Sequence, residues 1–223
     1  MKLRLFITLC IINVNFAYSK DDFADTGWIK KMSKNNITIY AKDSKKSPIK
    51  SLKAVGIINS KIKNIVSILR DVDTATKWLP NLNERSYIQN ISDIEAILYD
   101  VNAMPWPVAD RELVVHHKLK ISEDKRSLIL NFISTDKTSK KKNINRVRAK
   151  ILFGTMKFIP MGDKTKMIMT MLVDPKGKIP VWAINLLQVQ MPYDFMMALN
   201  KYAAKSKLAP LPGIQKLIDQ LVL

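Results

Sequence analysis

Six consecutive segments with strand character, residues 85–91, 94–103, 111–121, 127–135, 146–158 and 164–173, fill the middle of the chain, separated by short turn-like or charged stretches. Parallel neighbours need crossovers of about a dozen residues or more, so these segments are read as an antiparallel meander. The turn signal Asp174-Pro175-Lys176-Gly177 ends the run, and one long helical segment, 180–205, follows it. A sheet of this kind buries one face, and the long helix is its natural cover. The expected class is therefore α+β, an antiparallel sheet packed on a long C-terminal helix.

The segments before the meander are shorter. Residues 21–32 read as a helix with Phe23, Trp28, Ile29 and Met32 turned inward. Ile37 to Tyr40 and Ile49 to Ile58 read as two strands of a hairpin whose turn lies at 43–48. Ile62, Ile65, Val66 and Leu69 share one face of a helix over 60–69, and a second short helix over 74–79 is stopped by Pro80. At the far end Ile214, Leu217, Ile218 and Leu221 form one face of a short amphipathic helix, expected to dock on the domain.

The first residues read as a leader. Lys2 and Arg4 precede an apolar run over 5–17 that is too short to cross a bilayer, and Ala17-Tyr18-Ser19 offers small residues where a signal peptidase reads. The division expected is a signal peptide over 1–19, one ligand-binding domain over 20–205 and a C-terminal extension over 206–223. Export to a bacterial periplasm, or secretion, follows. Cys10, the sole cysteine, falls within the leader, so the rest of the chain has no disulfide and no thiolate metal site. The net charge of +18 points to anionic lipid surfaces or other polyanions, and export argues against nucleic acid. Lys140-Lys141-Lys142 is the one tight basic run and reads as a solvated loop.

Two stretches carry a resemblance. Trp106-Pro107-Val108-Ala109-Asp110-Arg111-Glu112-Leu113-Val114 resembles the signature of START domains, the lipid-transfer domains related to steroidogenic acute regulatory protein, with Arg111 at the family arginine, Glu112 where Asp is usual and Leu113 where an aromatic is common. The segment from Asp71 to Trp78, and Asp174 to Pro180 followed by Trp182 and Asn185, are similar to the family's middle segment and to its turn into the last helix. Leu79 departs from the usual Asp. The resemblance spans roughly residues 28–205 and implies a helix-grip fold with a hydrophobic tunnel between sheet and helix, binding one lipid. Related folds include cyclases, so the fold does not fix the function.

Strand parity reads Arg111 independently. On 111–121 the odd positions Arg111, Leu113, Val115, His117 and Leu119 form the more apolar face and are expected inward. An inward guanidinium needs partners. Three roles are open: pairing with Glu95 or Asp100, binding a lipid headgroup, or exposure at the strand end. Met167, Met169 and Met171 share a face of the 164–173 strand, either as core or as a pliable ligand wall. On the long helix Trp182, Leu186, Val189, Tyr193 and Met196 form a stripe, and Pro192 predicts a kink, so a helix that covers a cavity also becomes its candidate gate. The expected ligand-binding set is these residues with Arg111, Leu113, Val115 and His117.

No nucleophile elbow, metal-ligand spacing or phosphate loop is present, and adjacent His116 and His117 point to opposite faces. No catalytic residue, metal or cofactor is expected. The function expected is binding, with transfer, of a lipid or other hydrophobic small molecule by a monomer that meets anionic membranes transiently. The alternatives are a cyclase- or hydrolase-like enzyme using the same cavity and a cationic membrane-surface-binding protein.

Overall fold

The computed structural model describes residues 26–44, 47–136, 138, 140–179, 184 and 189–222, so the expected leader lies outside it. Three strands, β1 (Ile29–Lys34), β2 (Ile37–Ser44) and β3 (Ser47–Ile58), precede two helices, α1 (Ile62–Arg70) and α2 (Ala75–Trp78). The meander follows as β4 (Leu82–Ser92), β5 (Glu95–Asn102), β6 (Arg111–Ile121), β7 (Leu128–Ser134), β8 (Val147–Arg148), β9 (Lys150–Met161) and β10 (Lys164–Asp174). The helices α3 (Met191–Ala203) and α4 (Pro212–Ile218) complete the described chain.

All strands join one sheet in the order β1-β2-β3-β10-β9-β7-β6-β5-β4. The neighbours along this path are antiparallel. Off the path, β8 runs parallel to the start of β6, with Val147 opposite Arg111 and Arg148 opposite Glu112. α1 and α2 separate the first hairpin from the meander in sequence, and β10 returns to pair with β3 and close that gap in space.

The segment expected to be helical over 21–32 is corrected. Residues 21–25 lie outside the description, and Ile29–Lys34 is strand β1, largely exposed and paired with β2. The signal for it is Asn35-Asn36, both at positive φ (51° and 59°), between the paired Lys34 and Ile37. Asparagine tolerates this conformation, and a two-residue loop with both positions there matches the right-handed twist of a hairpin. The segment read as one strand over 146–158 is also divided, because Val147–Arg148 leaves β9 to pair with β6.

Residues 180–183 and 185–188 of the expected helix lie outside the described residues. Pro192 stands in the first turn of α3, which begins at Met191, a position where proline is tolerated. The ladder just before it, at Val189–Gln190, is π-type, a common irregularity of helices near a disruption.

The core lies between the inner face of the sheet, α1 and α3. Ile62, Ile65, Val66 and Leu69 of α1 are all buried, as their spacing requires. Met196 and Leu199 of α3 are fully buried against Ile39, Ala54 and Ile58 of β2 and β3, with Met167 and Met169 of β10 in the same cluster. At Gly154 of β9 a Cβ would lie 2.1 Å from Cε2 of Phe132, whose ring crosses the strand there. Gly154→Ala is therefore expected to destabilise by about 1–3 kcal/mol through overpacking, a drop in Tm of about 2–4 °C for each kcal/mol in a domain of this size. A urea midpoint equal to that of the parent chain would show that the ring moves aside without cost.

Candidate ligand cavity

Inward residues of β3, β6, β9 and β10 line a cavity of about 320 Å³ under the start of α3. Its walls are apolar, with Leu52, Leu113, Ile151, Met171, Val173 and Met191 among them. A second space of about 170 Å³ lies between the turn after α2 and α3, against Met169 and Phe195, and shares Asn102, Met171 and Met191 with the first. The two are neighbouring parts of one lumen-like region.

Arg111 stands at the end of this region, on the inner face that parity assigns to it, and is 5% exposed. Its partners are backbone carbonyls rather than either carboxylate expected. Nε donates to Pro175 O at 3.2 Å, one terminal nitrogen to Lys176 O at 3.0 Å and the other to Ala109 O. Burial pulls the Arg111 pKa below its ordinary value, against the opposing pull of nearby Asp110. The guanidinium thus ties the β5–β6 loop to the turn after β10. Gly177 sits directly over it at φ +68°, where an added Cβ would lie 3.6 Å from the Arg111 terminal nitrogen. A residue with a side chain is strained in that left-handed conformation.

The carboxylates proposed for Arg111 are engaged elsewhere. Asp100, opposite Leu113 in register, accepts two hydrogen bonds from Arg85, at 2.8 Å from Nε and 2.6 Å from the terminal nitrogen. Both side chains of this pair are over nine-tenths buried. Burial alone would lower the Arg85 pKa, but the Asp100 charge and hydrogen bonds outweigh it and hold the guanidinium above its ordinary value. Glu95 lies on the outer face, 2.7 Å from His116 and 3.0 Å from Lys118.

His117 points inward, opposite in direction to His116. It faces a small pocket of about 30 Å³ with Leu98, Leu119, Phe158 and Ile214, and its ring centre is 6.1 Å from that of Phe132. Burial, reinforced by the Arg85 charge, pushes its pKa down to about 3, so the imidazole is neutral at physiological pH.

The expected binding residues separate into groups. Arg111, Leu113 and Met171 line the main cavity, Met169 the adjoining space and His117 the small one. Val115, Met167 and Met196 are packed core. Tyr193 is buried at the edge of α3, its hydroxyl accepting from Asn35 Nδ2 at 2.7 Å. Val189 is half-buried in the π-type turn. Trp182 and Leu186 lie outside the described residues. Sequence reading missed Leu52 and Val173, although each shares the inward parity of its strand, and Ile151, which a register shift opposite Leu172 and Val173 turns inward out of step with Gly154, Met156 and Phe158; it also missed Met191 and Asn102. Among the described residues no group of three or more His, Cys, Asp or Glu side chains is placed to hold a metal.

Comparison with known proteins agrees with this architecture. An uncharacterized Pseudomonas aeruginosa protein, PA1579, is 24% identical over 80% of this chain and 87% of its own length. The crystal structure of human STARD10 superposes with a TM-score of 0.73 at 18% identity, covering 83% of this chain and 76% of that one. A STAR-related lipid transfer protein from Xanthomonas axonopodis superposes with a TM-score of 0.71 at 22% identity, covering 80% of this chain and 99% of that one. The START domain family model matches residues 15–198, and with the helix-grip fold in place the chain belongs to that family.

Proposed function

We propose that this chain binds a lipid or other hydrophobic small molecule in the cavity between the sheet and α3, and transfers it to and from membranes. The observation that carries this reading is the largely apolar lining of the main cavity, with Leu52, Leu113, Ile151, Met171, Val173 and Met191, where the inward charge of Arg111 is met by main-chain carbonyls. An apolar chain entering such a space gains about 0.8 kcal/mol for each methylene buried.

Binding rather than catalysis is supported by the same chemistry. General-base work near neutral pH needs a pKa close to the working pH, and a histidine held at about 3 is far too weak a base. The Arg85–Asp100 pair is closed on itself, and Arg111 bonds main-chain carbonyls. Release requires an opening, for which the π-type turn at Val189–Gln190 and the start of α3 are the proposed gate. The cationic surface, from a net charge of +18, favours anionic headgroups during transfer. The leader-like start supports export to a bacterial periplasm.

Native mass spectrometry of gently purified protein is expected to show one bound lipid or other hydrophobic small molecule. Protein that is empty on purification and accepts no lipid from donor vesicles refutes the reading. His117→Ala and Arg111→Ala are expected to alter ligand retention. If either instead abolished a chemical turnover while lipid stayed bound, the protein would be an enzyme. A pH experiment tests His117 separately. Its folded pKa of about 3 lies below the ordinary histidine value of 6.5, so the unfolded chain binds the extra proton between these limits. Its contribution to stability is complete above about pH 6.5 and is lost as pH falls toward 3, with a slope of at most about 1.4 kcal/mol per pH unit. His117→Gln should flatten this part of the stability profile, and parallel profiles for the two proteins would show that the histidine is not buried neutral.

A further inference from the structure

Glu112 is completely buried, yet it lies on the outer face of the sheet, away from the cavity. It accepts hydrogen bonds from the Tyr99 hydroxyl at 2.7 Å, Arg148 Nε at 2.8 Å and the Asn143 backbone N–H at 3.2 Å. Around it Arg146 donates to the Tyr99 hydroxyl at 3.1 Å, and Lys140 lies 4.1 Å from the Tyr99 ring centre. Lys140 and Arg146 also approach Glu84, at 3.7 and 3.6 Å. Burying a carboxylate is costly unless several donors satisfy it, and here those donors belong mainly to one loop. The network therefore fixes the 140–148 segment against the sheet.

What the segment presents outward is unusual. Ile144 at its tip is 97% exposed, the most exposed large apolar side chain among the described residues, and Lys141 and Lys142 stand exposed beside it. Next to it in space, Val147 N–H donates to Asp110 O at 2.9 Å, which joins the segment to the loop carrying Trp106, itself 91% exposed. Trp106 and Ile144 thus stand near the end of the molecule where Arg111, Lys176 and the cavity mouth lie. An apolar tip beside lysines has nothing to gain from a polyanion in water, but in a bilayer it inserts while the lysines meet anionic headgroups.

We propose that the 140–146 segment, with Ile144 as its apolar tip and Lys141 and Lys142 as its cationic flanks, docks on an anionic lipid bilayer beside the cavity mouth, with Trp106 as a second insertion point. This rests on the reading of the cavity as a lipid carrier, since it names the surface from which such a carrier loads. The buried Glu112 holds the tip in place before contact, so little conformational freedom is lost on binding.

The test is co-sedimentation of the full chain with vesicles of phosphatidylcholine alone and of phosphatidylcholine with phosphatidylglycerol, at low and high salt. Parent protein is expected to bind the anionic vesicles in a salt-sensitive way, with a blue shift of tryptophan fluorescence that Trp106→Ser diminishes. Lys141→Ala with Lys142→Ala should weaken binding on the order of twentyfold and reduce its salt dependence. Ile144→Ser should weaken it about tenfold with the salt dependence kept. Unchanged melting temperatures show that these surface variants are folded. Variants that bind vesicles like the parent overturn the proposal, as does tighter binding to a soluble polyanion that is indifferent to Ile144→Ser. Native mass spectrometry on the same samples separates the two readings. Bound lipid without loop-dependent vesicle binding leaves the cavity reading standing and this one refuted, and loop-dependent vesicle binding without any bound lipid does the reverse.

Discussion

The Arg111 guanidinium joins the backbone of two loops that are far apart in sequence. Ala109 belongs to the loop between β5 and β6, and Pro175 and Lys176 belong to the turn that leads toward α3. A helix that covers a sheet without joining its hydrogen-bond ladder must be placed by such ties and by side-chain packing. Three carbonyl acceptors also explain how a cation can remain inside with no described carboxylate paired to it. The dipoles replace water, and burial still lowers its pKa. Gly177 belongs to the same arrangement, because the turn over the guanidinium runs through a left-handed residue.

Deeper inside, charge is arranged differently. The Arg85–Asp100 pair bridges β4 and β5 with both hydrogen bonds short and both groups desolvated. A buried pair of this kind adds little net stability against an apolar replacement, while loss of one partner is severe, of the order of 3–5 kcal/mol. Its effect here is local, because the two charges act with opposite sign on nearby His117, whose burial is the main reason that it stays neutral.

Much of this was legible in the residues. Alternation on 111–121 set Arg111, Leu113, Val115 and His117 on one face because a strand has a period of two. The spacing of Ile62, Ile65, Val66 and Leu69 marked a helix face that tertiary contacts then bury. Order and connection length were enough for the meander. Other features depend on contacts distant in sequence. The partners of Arg111 are main-chain oxygens, which every residue possesses and no composition reveals. Asp100 could not be assigned between two arginines without the β4–β5 register. Residues 29–34 have apolar and charged residues mixed in a way that fits either periodicity, and Asn35-Asn36 was the local clue that decides for a hairpin. Glu112 looked like a conservative exchange in a motif, and its role appears only when the 140–148 segment folds back over it.

The two residues that open β6 are consecutive and face opposite ways. Arg111 secures the rim of the cavity from within, and Glu112 anchors a surface segment from without, while β8 runs alongside both. One peptide unit therefore serves both sides of the sheet, so that a change of backbone register at this point would unseat the cavity rim and the surface segment together.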